Sequence, residues 1–268
     1  MNFSAQSLGN MQPYGAEHVF MLVIIVVLAA AARAFGHWLR RVPQREQWVT
    51  RALGFVLLAA AVAWFIGDLL PSRFTIAQSL PIHLSDVLRV VVALALIFRN
   101  PLCIAISYYW GLTFNLMAIV TPDLNYIAHP PLEFASYWLA HGAALLVSLL
   151  LVFGLGYQPT WRGYFAMWGA TLVWAAVAMS VNTALGTNYG YLSAVPPSGS
   201  ILDALGGWPL YLAWAALLLA LAWMLMTLPW QSRRLVEGAE FVGTNRLLRR
   251  RPLTPAVRVV ATAEPSLR

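Results

Sequence analysis

The chain has 268 residues, of which 60% are hydrophobic and only 10% are charged. Its mean hydropathy of +0.68 excludes a water-soluble domain, because such a domain does not need so much apolar surface. All 17 basic residues are arginine, and the net charge is +7. Most arginines flank apolar segments, so we interpret them as determinants of membrane orientation and partners of anionic headgroups, and we predict no nucleic-acid partner.

Seven apolar segments are long enough to cross the ~30 Å hydrocarbon layer as helices. We therefore predict an all-α, polytopic membrane protein with about seven transmembrane helices, formed by residues 1–230. The expected spans lie near 18–35, 52–70, 81–98, 101–120, 134–155, 164–185 and 208–228. Residues 1–15 contain no Lys or Arg, so we expect the first segment to remain as an anchor and not to be cleaved as a signal peptide.

Arginines occupy the first, third and fifth connections and the start of the tail, whereas the alternate connections are mainly acidic. The positive-inside rule then predicts an outer N-terminus and a cytoplasmic C-terminus in a multi-pass plasma-membrane protein. Residues 231–268 are predicted to be a basic, disordered cytoplasmic tail. Its Leu-Leu-Arg-Arg-Arg-Pro run at 247–252 is suited to anionic lipid headgroups.

The start of the third span carries four polar residues within two helical turns: His83, Ser85, Asp86 and Arg89. Such groups are costly in a lipid-buried helix, so they indicate either pairing or function. The spacing of Asp86 and Arg89 predicts a direct ion pair, with His83 on the same broad face. Ser85 lies about 100° from Asp86 around the helix axis, so it should face a different neighbour.

The predicted topology places two reactive side chains at matching depth. Ser85 lies roughly 6 Å inside the outer end of span three, and His141 lies at a similar distance inside span five. We predict that Ser85 is a nucleophile and His141 its base, with Asp86 or Asp123 orienting the imidazole. Asn182 or Asn188 would bind the oxyanion or a headgroup, and the pair would need no cofactor.

Three alternatives use the same residues or ignore them. His83, His129 and His141 with Asp86 and Asp123 could form an N/O metal site, although no metal-binding spacing is present and we predict no metal. A transporter would use His83, Asp86 and Arg89 as a relay. A non-catalytic scaffold would need none of them. Cys103, near the other end, is interpreted as a small buried apolar residue.

Short motifs recur in order from about Ile76 to Leu228: Leu80-Pro-Ile-His-Leu-Ser-Asp86, Tyr109-Trp-Gly111, Val120-Thr-Pro-Asp-Leu124, His141-Gly142, Gly186-Thr-Asn-Tyr-Gly-Tyr-Leu192 and Leu202-Asp-Ala-Leu-Gly-Gly-Trp-Pro-Leu-Tyr211. Together they resemble the YwaF family of bacterial integral membrane proteins, which is related to the animal transmembrane protein 164. The first two spans contribute little to this resemblance.

The resemblance implies acyl transfer. The animal relative is described as placing polyunsaturated acyl chains on ether phospholipids through a Cys and a His within the membrane. By motif, the family cysteine falls on Ser85 and the histidine on His141, and Tyr189 belongs to a matching motif as a supporting residue. A hydroxyl depends wholly on its base, whereas a thiol is partly ionised. We therefore expect acyl transfer or acyl-ester hydrolysis on membrane lipids, from a donor that the motifs do not specify.

Overall fold

The computed structural model describes residues 9–71, 73–126, 129–195, 201–237 and 248–250. Most of these residues are helical, in α1 (Ala16–Arg40), α2 (Pro43–Asp68), α3 (Leu84–Phe98), α4 (Pro101–Gly111), α5 (Phe114–Val120), α6 (Pro130–Leu149), α7 (Trp161–Leu185) and α8 (Leu210–Glu237). Among the described residues, six helical segments are long and apolar enough to cross a membrane. The 15-residue α3 is the shorter, seventh segment. The prediction of an all-α, polytopic membrane protein is confirmed.

The remaining elements are short. Strands β1 (Gly9–Asn10) and β2 (Asn125–Tyr126) pair antiparallel, as do β3 (Tyr157–Pro159) and β4 (Leu248–Arg250). A π-helical segment, Leu150–Gly154, prolongs α6, and 3₁₀ turns occupy Tyr189–Tyr191 and Ile201–Leu205. Of the predicted tail, residues 231–237 belong to α8 and residues 248–250 form β4, which pairs with β3. The rest of the tail lies outside the described residues.

The helices form a buried centre and an outer layer. Of the most apolar stretch of α6 and its π-helical extension, 61% is buried, against 11% for α1 and 17% for each of α2, α7 and α8. The centre contains fully buried side chains from α3, α4 and the π segment, including Leu88, Leu96, Tyr109, Trp110 and Leu151. The exposed apolar side chains of the outer helices therefore face lipid.

The fourth predicted span, 101–120, is two helices and not one. Helix α4 ends at Gly111, and Thr113 has a non-helical backbone with φ −123° and ψ −86°. The Thr113 hydroxyl donates to the Tyr109 carbonyl oxygen at 2.6 Å, and Trp223 Nε1 donates to Thr113 Oγ1 at 3.3 Å. These bonds stabilise the break between the helices, after which α5 can take a direction of its own.

Side-chain hydrogen bonds tie α4 to three neighbouring helices. Trp110 Nε1 donates to Thr171 Oγ1 on α7 at 3.0 Å, and the Tyr109 and Thr227 hydroxyls are 2.6 Å apart between α4 and α8. On α6, the Ser148 hydroxyl donates to the Ser107 carbonyl oxygen of α4. Bonds of this type contribute directly to helix association, since lipid offers no alternative partner.

A glycine contact joins α1 to the π segment. A Cβ atom added to Gly36 would lie 2.6 Å from the Gly154 carbonyl carbon, so the two backbones touch. We expect Gly36→Ala to lower the free energy of unfolding by about 1–3 kcal/mol through overpacking. Gly169→Ala is the matched control, because a Cβ there meets no atom within 4 Å. A thermal melt in detergent should separate the variants; equal melting temperatures would contradict the prediction.

The bundle has two chemically different ends. At the first, called the polar end, the loops 69–83, 121–126 and 186–195 meet: the Tyr189 hydroxyl donates to the Ile76 carbonyl oxygen at 2.6 Å. At the second, called the arginine end, the α1–α2 and α3–α4 turns meet, and Arg99 pairs with Glu46 at 3.3 Å. Which end faces the cytoplasm stays a prediction from the arginines.

Candidate functional site

His141 is the best-defined polar residue of the site. It lies on α6, is 8% exposed, and exchanges two hydrogen bonds with Asn115 on α5. Asn115 Nδ2 donates to the His141 carbonyl oxygen at 2.9 Å, and His141 Nδ1 lies 2.9 Å from Asn115 Oδ1. Because the amide nitrogen is the donor in the first bond, Oδ1 is the acceptor in the second. Nδ1 therefore carries the proton.

This arrangement leaves the other ring nitrogen available. In the neutral tautomer, Nε2 has a lone pair, and none of the described residues forms a hydrogen bond with it. The Tyr137 ring packs on the imidazole with centroids 4.4 Å apart, and its hydroxyl donates to the Ala118 carbonyl oxygen at 2.6 Å. The imidazole is thus held on one edge and one face, with Nε2 able to accept a proton.

Ser85 lies in the first turn of α3, and it is half-buried. No described residue hydrogen bonds to its hydroxyl, so the direct Ser85–His141 bond is absent. Helices α3 and α6 pack against each other. Ser85 shares a helix face with Arg89, four residues later.

Asp86 and Arg89 do not form the predicted direct ion pair within the part of the chain that the structure describes. The Asp86 carboxylate instead interacts electrostatically with the backbone of His83, the N-cap residue of α3. The Arg89 guanidinium lies 5.4 Å from the centre of the Trp64 ring, and it interacts electrostatically with both Asp86 and Asp68. The short spacing along α3 predicts neither Trp64 nor Asp68, because both belong to α2.

Arg89 lines a small lateral cavity of about 80 Å³, called the Arg89 groove. Its walls come from α2, α3 and α6: Leu57, Ala60, Ala61, Trp64, Val92, Ser136, Leu139, Ala140 and Ala143. Arg89 Nε is buried and has no hydrogen-bond partner among the described residues. The groove therefore combines apolar walls with one unused donor, beside a helix face that also carries Ser85.

Asp123 does not orient His141, contrary to one of the two predictions for that role. Its Oδ2 accepts a hydrogen bond from the Tyr191 hydroxyl at 3.1 Å. Burial, and then the Asp123 carboxylate, raises the pKa of the Tyr191 phenol, so Tyr191 remains a protonated donor. Asp86 is also not the orienting group, since His141 Nδ1 is bonded to Asn115.

His83 and Tyr189 form an aromatic contact at the polar end. Their ring centroids are 4.8 Å apart, and the Tyr191 ring lies 6.4 Å from His83. The Tyr189 hydroxyl accepts from the Leu80 amide at 3.1 Å while it donates to Ile76. These contacts anchor the loop before α3, and they thereby fix the position from which Ser85 projects.

Asn182 and Asn188 both use their side chains to fold the loop after α7. Asn182 Oδ1 accepts from the Tyr189 amide at 2.6 Å and from the Thr187 hydroxyl at 2.9 Å, while Nδ2 donates to the Tyr189 carbonyl oxygen at 3.0 Å. Asn188 Oδ1 accepts from the Ser193 and Ala194 amides at 3.0 Å each. Their predicted role as oxyanion ligands receives no support from these contacts.

We expect Asn182→Ala to destabilise the polar end by about 1–3 kcal/mol, because three buried polar groups lose their partner. Asn188→Ala, at a half-buried position, should cost less. Thermal unfolding in detergent measures both. An equal loss of stability in the two variants would contradict the importance of burial at Asn182.

The other predicted residues do not gather around a metal. Among the described residues, no group of three or more His, Cys, Asp or Glu side chains could hold one. His129 is exposed at the N-cap of α6, where its amide donates to Glu133 Oε1 at 3.3 Å. Cys103 is half-buried near the start of α4 and not fully buried as predicted.

Asn115 is the site residue that the sequence prediction missed. It is a 4% exposed amide within the apolar run Phe114–Val120. A polar side chain in such a run is itself a signal of function or pairing. Its partner, His141, could not be predicted from the sequence, because the break at 112–113 determines which way α5 faces.

Fold and site together define a polytopic helical membrane protein with a buried, oriented histidine in the middle of α6. The chain belongs to the TMEM164 family, whose family model matches residues 13–227. This match confirms the predicted relationship and extends it over α1 and α2. No curated protein and no solved structure matches the chain.

Proposed function

We propose that this protein transfers acyl chains between membrane phospholipids, with Ser85 as nucleophile and His141 as general base. The observation that carries the proposal is the buried imidazole, whose Nδ1 is fixed by Asn115 and whose Nε2 is not engaged by any described residue. A base held in one tautomer by an acceptor on its far side is the arrangement of a nucleophilic catalytic triad, including triads with asparagine as the third member.

The reaction would proceed in two balanced steps. Ser85 Oγ attacks the ester carbonyl of a donor lipid while its proton passes to His141 Nε2. The acyl–oxygen bond of the donor breaks, and the departing alkoxide oxygen of the lysolipid takes that proton from His141 Nε2 and becomes a hydroxyl. An acceptor hydroxyl then gives its proton to His141 Nε2 and attacks the acyl-serine. The acyl–Oγ bond breaks, and Ser85 Oγ takes the proton back from His141. Water as the acceptor would give hydrolysis.

In this proposal, the Arg89 groove binds the acyl chain and stabilises the negative charge that develops during the reaction. Its apolar walls from α2 and α6 suit an acyl chain that enters sideways from the bilayer. The Arg89 side chain, with its unused Nε, would stabilise the negative charge on the ester oxygen or the lipid phosphate. We assign this role to Arg89 in place of Asn182 or Asn188, because their amides already hold the loop after α7.

The identity of the nucleophile can be tested by replacing Ser85 with cysteine, the residue that the family pattern has at this position. Ser85→Cys should retain acyl transfer, since a thiol needs less help from its base. It should also become sensitive to a maleimide. The wild type controls for Cys103, which both proteins share. Retained activity that maleimide leaves unchanged would contradict the role of position 85.

The activity itself is tested with purified protein in vesicles of phosphatidylethanolamine and phosphatidylglycerol that contain a lysophospholipid acceptor. Mass spectrometry follows the appearance of new acyl combinations. We expect transfer by the wild type and a loss of at least about 10²-fold in Ser85→Ala. Ser180→Ala is the matched control, because Ser180 is on α7 and, among the described residues, its hydroxyl bonds only to the Ala176 carbonyl oxygen. Transfer that survives in Ser85→Ala would overturn the mechanism.

A further inference from the structure

A second and larger cavity, of about 360 Å³, lies at the arginine end of the bundle. It is enclosed by the last turns of α1, by α4, by the π segment and by α8. Its lining residues are Arg33, His37, Arg40, Tyr108, Val152, Phe153, Gly156, Met226, Pro229 and Trp230. None of the residues assigned above to acyl transfer contributes to it, so it is a separate site.

One wall of this cavity is basic. Arg33, His37 and Arg40 follow the i, i+4, i+7 pattern on α1, which places them on one helix face. Among the described residues that line the cavity, none carries a carboxylate. Arg33 and His37 are exposed, whereas Arg40 is only 7% exposed and its guanidinium packs on Gly156. A Cβ at Gly156 would lie 2.5 Å from Arg40 Nη1, so this close approach requires a glycine.

The opposite wall is apolar and fixed. Trp230 Nε1 donates to the Tyr108 hydroxyl at 3.2 Å, and that hydroxyl donates to the Met226 carbonyl oxygen at 3.0 Å. The Phe153 and Trp230 rings have centroids 5.7 Å apart. Aromatic side chains of this kind are typical of the depth at which headgroups meet acyl chains.

We propose that this cavity binds an anionic phospholipid of the adjoining leaflet. The phosphate would lie against Arg33, His37 and Arg40, and the first part of an acyl chain would lie along Phe153, Met226 and Trp230. A small inorganic anion would use only the basic wall, so the apolar wall indicates an amphiphile. Basic pockets between transmembrane helices are suited to this chemistry. The inference does not depend on the proposed acyl transfer.

The test uses the full-length protein in detergent and measures binding of phosphatidylglycerol by native mass spectrometry. Arg33→Gln should weaken binding about fivefold, because one arginine near a lipid phosphate contributes about 1 kcal/mol. Arg33→Gln/His37→Gln should weaken it further. Both side chains are exposed, so the variants should fold; circular dichroism and a thermal melt check this. Arg51→Gln is the matched control, since Arg51 is exposed on α2 and outside the cavity.

The source of the phosphate is distinguished by two further ligands. Phosphatidylcholine should bind more weakly than phosphatidylglycerol, and inorganic phosphate at equal concentration should not displace the lipid. Equal losses in Arg33→Gln and Arg51→Gln would assign the effect to general surface charge and overturn the proposal. Displacement of the lipid by inorganic phosphate would show that the cavity is a small-anion site, and this result would also overturn the proposal.

Discussion

Replacing His141 by glutamine should reduce acyl transfer by at least about 10²-fold, because proton transfer by a positioned side chain contributes about that much or more. Glutamine keeps the approximate size of the side chain but cannot accept and return a proton at neutral pH. The measurement is the initial rate of acyl exchange in vesicles, per molecule of folded protein. Retention of the wild-type rate would show that the imidazole serves packing alone.

The chain offers a matched control for this substitution in a second buried histidine. His18 is fully buried, but both of its ring nitrogens are occupied: Nδ1 accepts from the Tyr14 amide and Nε2 donates to the Ile119 carbonyl oxygen, each at 2.8 Å. His18→Gln should therefore lower stability and leave the rate per folded molecule near that of the wild type. Similar rate losses in His141→Gln and His18→Gln would contradict a catalytic role that is specific to His141.

The second large effect is expected at Asn115. Asn115→Leu removes the acceptor that holds His141 Nδ1, so the imidazole loses its orientation and its tautomer. We expect kcat to fall roughly 10²-fold while KM changes little, since Asn115 acts through His141 and does not touch the substrate. The variant should also be less stable, because the His141 carbonyl oxygen loses its donor.

Asn115→Asp separates positioning from stability. A carboxylate retains the acceptor for Nδ1 but has no N–H for the His141 carbonyl oxygen. We expect it to recover most of the kcat that Asn115→Leu loses, even if its melting temperature stays low. Equally low kcat values for the two variants at equal folded concentration would contradict the positioning role.

Much of the fold follows from hydropathy. The membrane class and the number of helical segments depend on apolar runs that must satisfy their backbone hydrogen bonds internally. The described chain has six such segments of spanning length, and the shorter α3 in addition. Ser85 and His141 could be selected because a hydroxyl and an imidazole are conspicuous within apolar runs. Their predicted placement at one depth follows from the alternating direction of successive spans. The helix bounds differ from it, because Ser85 lies in the first turn of α3 whereas His141 lies in the middle of α6.

The partners of these residues could not be found in this way. The break at Thr113 depends on a hydroxyl bond to Tyr109 and on Trp223 of α8, which is distant in sequence. Without that break, Asn115 would be assigned to the wrong direction around a continuous helix. The Asp86–Arg89 prediction failed for a similar reason: local spacing favoured a pair within α3, whereas Arg89 packs toward Trp64 of α2. Tertiary contacts therefore determine both the orientation of Asn115 and the partner of Arg89.

The Arg89 groove lies between α2 and α6 near the lipid-facing surface, where Leu139 is 60% exposed. A substrate that enters there never leaves the bilayer, so its effective concentration is its mole fraction among the surrounding lipids. Diluting the substrate with inert phospholipid should then slow turnover, even when the total amounts of protein and substrate per volume are unchanged. For such a protein, membrane composition takes the place that solute concentration has for a soluble enzyme.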